Sequence, residues 1–157
     1  MTGLDDQYLE TRVLTAAPEQ LHLLVLEGAI RHAKQAVQEI EEQNFEKSFH
    51  ALGLAREFVS ELVGGLDTER SPELVADLKS MFLYVYRNLI KADMEHDPQL
   101  VRDAVHILES HRETWLALME RLKHEKPQQE NMPAPKGHSL GHLSSDSAQH
   151  EGRSWTA

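Results

Sequence analysis

The sequence predicts an all-α chain: an antiparallel four-helix bundle with a short N-terminal helical cap and a disordered C-terminal tail. Three observations carry this. Apolar residues recur at spacings of three and four through four separate stretches, which lines one face of a helix. Helix start signals head those stretches, at Pro18, Asn44, Ser71-Pro72 and Asp97-Pro98. Strand-type alternation of apolar and polar residues is absent. Four amphipathic helices on short connections bury their stripes against one another as a bundle. The bundle domain is placed at residues 1–126, with 1–15 as a cap segment, and the tail at 127–157.

In the cap, Asp5-Asp6 is suited to start a short helix carrying Leu4, Tyr8 and Leu9. One or two turns do not stand alone in water, so this segment either docks on the body or frays. The first long helix is expected from Pro18 to Gln43, roughly 26 residues and about 39 Å at 1.5 Å per residue. Pro18 has its φ already near the helical value and lacks an N–H that the first turn leaves unpaired anyway. The stripe Leu23, Leu26, Ile30, Ala33, Val37 and Ile40 is enough to face a core. A second stripe, Leu21, Leu24, Val25 and Gly28, lies on another face, so the start of this helix is apolar around too much of its circumference.

Asn44 is the expected N-cap of a second helix over 45–63, with the stripe Phe45, Phe49, Leu52, Ala55, Val59 and Leu62. Gly64-Gly65 is expected to stop it in the left-handed conformation that glycine adopts cheaply. Ser71-Pro72 starts a third helix over 72–95, with Leu74, Leu78, Phe82, Val85, Leu89 and Ala92 inward. A second stripe, Leu83, Tyr86 and Ile90, lies beside it. Asp97-Pro98 starts the fourth, over 98–124, carrying Val101, Val105, Leu108, Trp115, Leu118/Met119 and Leu122. From Pro127 on, Pro, Gly, Ser, Gln and His dominate without a helical stripe, a composition that cannot offset its ordering entropy.

With 157 residues, 40% hydrophobic and 27% charged, the chain is long enough to build a single-domain core. A net charge of −10 and a pI near 5.4 repel phosphate backbones and anionic lipid, which argues against nucleic-acid and membrane-surface roles. Cysteine is absent, which removes disulfides, thiolate catalysis and zinc knuckles and fits a reducing cytosol. The first residues have no charged n-region or apolar h-region, and no apolar run approaches the roughly 20 residues that span a bilayer. A cytoplasmic location is expected.

Catalytic constellations are sparse. Di-metal bundles use a Glu-x-x-His from each of two helices. Here Glu19-Gln20-Leu21-His22 is the single match, with His106 and Glu109 in reverse order, and the plainer reading puts His22 on the surface. A phosphorelay bundle needs an exposed histidine beside a cation, and His32 and Lys34 do not share a helix face. Tail residues His138, His142 and His150 are too scattered to define a metal site. No enzyme activity, cofactor or metal is expected. The surplus faces, Leu21, Leu24 and Val25 on helix one and Leu83, Tyr86 and Ile90 on helix three, read as the floor and wall of a groove. Covering by residues 1–15 and self-association through the same stripes are the alternatives, along with the metal or relay bundle.

An ordered set of motifs resembles the flagellar secretion chaperone FliS family. It comprises Tyr8; Val13-Leu14-Thr15-Ala16-Ala17-Pro18; Leu21, Leu24 and Gly28-Ala29-Ile30; Leu62 to Leu66-Asp67; Tyr84 to Tyr86-Arg87 with Leu89 and Ala92; and the closing His111–Trp115 segment. The resemblance covers about residues 4–122. Leu26-Glu27 stands where the family usually has Tyr-Asp, and Ala17 where it has a Ser or Asp cap. The resemblance implies a cytoplasmic bundle that binds the disordered C-terminal segment of flagellin, prevents premature polymerisation and aids delivery to the flagellar export gate. It further implies a partner site of Leu21, Leu24, Val25 and Gly28 as floor and Leu83, Tyr86 and Ile90 as wall. It implies too that Tyr8 belongs to a displaceable cap and serves as a docking point for the gate. The free protein is expected to be a monomer or weak dimer.

Overall fold

The computed structural model describes residues 6–7, 17–69 and 71–130. The rest of the expected cap segment, Tyr8 and Thr15 included, and the expected tail from residue 131 on lie outside the described residues. Among the described residues, four long helices follow the predicted order: α1 (Pro18–Glu41), α2 (Phe45–Gly64), α3 (Pro72–Glu95) and α4 (Pro98–Glu130). Each packs on its neighbour in sequence, and α4 closes the ring onto α1. Direction is fixed by contacts along the α1–α4 seam. The late α1 residue Glu41 pairs with Arg102 early in α4, Lys34 pairs with Glu109, and the α1 start meets Trp115. These helices are antiparallel.

The core runs down the middle. Leu26, Ile30 and Ala33 of α1, Leu52, Val59 and Leu62 of α2, Phe82, Val85 and Leu89 of α3, and Val101 and Leu108 of α4 are buried. Small residues are buried beside them: Ala29 and Ala36 on α1, Ser48, Ala51 and Ala55 on α2. They let α1 and α2 approach closely, which displaces part of the expected α2 stripe. Phe45 and Phe49 lie on the surface, Phe49 at 60% exposure. Leu74 and Leu118 are exposed as well.

Helix ends differ from expectation in instructive ways. Ala17, Asn44 and Ser71 occupy N-cap positions, and each carbonyl accepts its first helical bond at 2.9 Å, but none caps with its side chain. The Asn44 amide instead donates to Glu39 near the end of α1 and to Glu42 just past it. Asp97 does cap: its Oδ1 accepts the Gln99 N–H at 2.8 Å. The glycine stop is not left-handed. Gly65 sits at φ −83°, its N–H donates to the Glu61 carbonyl, and the Leu66 N–H to that of Val63, so a right-handed exit suffices. Among the described residues the positive φ values belong to Gln43 and His96, in the two tight loops at the far end. There the Phe45 ring stacks on His96 at 3.9 Å. α1 stops at Glu41, two residues early, and α4 continues six residues past 124, with Pro127 inside it forgoing one backbone bond.

Candidate binding cleft

At the end opposite those loops, the first two turns of α1 and the last turn of α2 enclose an open cleft of about 520 Å³. Pro18, Leu21 and Val25 line the α1 side, and Leu62, Gly64 and Gly65 the α2 side. Leu21 is 37% exposed, while Val25 is half-buried and packs on the core. The α2 wall is low because two glycines have no side chains. A Cβ built on Gly64 meets nothing within 4 Å. Glu61 and His22 are the titratable groups at the rim and base.

His22 is not the surface residue expected from its first-turn position. It is half-buried in an aromatic cluster with Phe82 of α3 and His111 and Trp115 of α4. Its Nε2 lies 3.0 Å from the Nε2 of His111, so one ring donates and the other accepts. The ring centroid of Trp115 is 4.2 Å from that of His22, and the indole N–H donates to the Glu19 carbonyl at 2.9 Å. Phe82 meets His111 edge-on. Burial, then the charge of His111, lowers the His22 pKa to about 4, and burial lowers that of His111. Both rings are neutral at pH 7.

The other expected site residues are scattered. Leu24 is half-buried outside the cleft lining. Gly28 is buried, and the close approach it permits is taken by Phe58 of α2, whose Cε1 stands 2.7 Å from where a Cβ would be. Leu83, Tyr86 and exposed Ile90 lie on α3, which packs against α2 and α4 rather than forming a second wall for the α1 cleft. Tyr8 lies outside the described residues. His32 is half-buried and stacked on Phe58, and Lys34 is engaged by Glu109. Among the described residues no three His, Asp or Glu side chains are placed to hold a metal, and no helix is long and apolar enough to cross a membrane.

Periodicity missed the α2 wall, since glycines carry no apolar signal. It also missed the histidine pair, although Leu108, His111 and Trp115 continue the α4 core spacing of three and four.

Residues 1–122 match the family described as "Flagellar protein FliS". The chain is 28% identical over 108 residues to the flagellar secretion chaperone FliS of Bacillus subtilis (strain 168), covering 69% of this chain and 80% of the relative. It is 27% identical to that of Salmonella typhimurium, over 68% of this chain and 80% of the relative. It is 25% identical to FliSB of Pseudomonas aeruginosa, over 68% and 85%.

Proposed function

The chain belongs to the FliS family, whose members are chaperones and not enzymes, and from that premise we propose that it binds the C-terminal segment of flagellin. By this reading it acts in the cytoplasm, keeps flagellin from polymerising early and hands it to the flagellar type III export gate. The observation that carries the reading is the open apolar cleft at the start of α1, within the matched region. A disordered client segment lays apolar anchors at i, i+3 and i+4 into such a cleft as it folds. It loses ordering entropy in doing so, so affinity comes from a wrapped surface, and release needs no chemistry. Leu21 and Val25 serve as anchoring floor, with Leu62 opposite. Leu24, Leu83, Tyr86 and Ile90 extend the contact along α1 and α3, while Gly28, buried against Phe58, takes no part.

The test is titration calorimetry with the C-terminal segment of flagellin from the same organism. Saturable binding near one to one with a negative heat-capacity change is expected. Gly64→Leu fills the cleft without touching the core, and Val25→Asp puts a charge in it. Both should weaken binding at least tenfold, by about 1.4 kcal/mol or more. A folded Gly64→Leu protein with unchanged affinity counts against the cleft, and no binding by the parent protein counts against the function.

A further inference from the structure

The cleft has a wall whose position is set in part by residues that do not line it. Its α1 side is the first turn of a helix with alanine at the N-cap and no side-chain cap bond, an end prone to fray. Two contacts from α4 reach that turn. The Trp115 indole N–H donates to the Glu19 carbonyl, and His111 shares a hydrogen bond with His22. Neither His111 nor Trp115 lines the cleft. We propose that His111 and Trp115 are positioning residues for client binding, holding the first turn of α1 in place as the cleft wall through the Glu19 carbonyl and His22.

This inference rests on the client reading given above and adds a regulation to it. The Nε2···Nε2 bond exists only while at least one of the two facing nitrogens is unprotonated. One added proton can be held at an Nδ1, but two facing Nε2–H groups repel. The groups around the pair are Glu19 on α1, Glu61 across the cleft on α2, the uncharged ring of Phe82 on α3 and Trp115 on α4. No cation among these favours the neutral pair. Its neutrality follows from burial, with the mutual repulsion of the two rings adding to it at His22. Acidification therefore charges the pair, breaks the bond and frees the α1 turn, so client affinity falls with pH.

The experiment uses the full chain carrying Trp155→Phe, which leaves Trp115 as the fluorescent reporter beside His22. His111→Phe, His111→Gln and Trp115→Phe are compared with this parent for amide exchange at Leu21 to Leu24 and for affinity to the flagellin C-terminal segment. His111→Phe and Trp115→Phe should each speed first-turn exchange and weaken binding by about five- to tenfold, the scale of one hydrogen bond. His111→Gln, which can still pair with His22, should recover part of both. Parent affinity should drop as pH falls below about 5 toward 4, where His22 takes up its proton, and the drop should flatten in His111→Phe. Unchanged first-turn exchange in folded His111→Phe and Trp115→Phe proteins overturns the proposal, as does unchanged affinity where the parent binds. Faster exchange with no binding by the parent sustains the positioning role and rejects the client reading alone.

Discussion

Gly28 shows how one missing methyl sets a helix spacing. Phe58 rests where a Cβ would be, and the same ring stacks on His32 at 5.4 Å. Gly28→Ala gains helix propensity, worth about 1 kcal/mol. It loses more, because a contact of 2.7 Å forces either the ring or α1 to move. A net loss of about 1–2 kcal/mol is expected, within the range for overpacked cores. Denaturant titration measures it, and Phe58→Leu in the same chain should recover part of the loss. Leu26, where the family usually has tyrosine, is fully buried. Its truncation to alanine should cost about 2–5 kcal/mol. A tyrosine at this buried position would need a partner for its hydroxyl.

The helices themselves were legible because their signals are local. Pro18, Pro72 and Pro98 each begin the helix that the sequence assigns to them, and the 3.6-residue spacing places Leu26, Leu52, Phe82 and Leu108 inward. Less legible was which of two adjacent faces wins. Counting large apolar residues selects Phe45 and Phe49 on α2, yet Ser48 and Ala51 are buried, since close helix approach rewards small side chains. The cleft was half legible. Leu21 and Val25 announce it as surplus apolar surface, but its opposite wall is glycine, and the His22 that lines it is held by a histidine 89 residues away. Capping is equally uneven. Asp97→Ala should cost about 1 kcal/mol because Asp97 makes a side-chain cap bond, and Ala17→Asp should gain a similar amount where none exists. Thermal unfolding of both variants checks the pair.

Across the whole molecule, buried neutral histidines tie stability to pH. His22, His32 and His111 all have pKa values lowered in the fold, with burial the first cause. The unfolded chain binds protons at these sites below the ordinary value of 6.5, while the folded chain resists them, His22 down to about 4. Their contribution is complete above pH 6.5 and is lost as pH falls toward 4. Melting temperatures should therefore decline across that window, and less steeply in a His22→Phe protein that stays folded. The two ends of the bundle also differ in kind. Two tight loops close one end, whereas the chain enters α1 at Pro18 beside the cleft and leaves α4 at Glu130 at that same end. A client segment spliced to either side of the bundle would start near its seat. Tethering of this sort replaces bulk concentration with an effective one, of millimolar order for a short flexible linker. A single-chain fusion should thus saturate the cleft at any protein dilution and hold even a weak client variant in place.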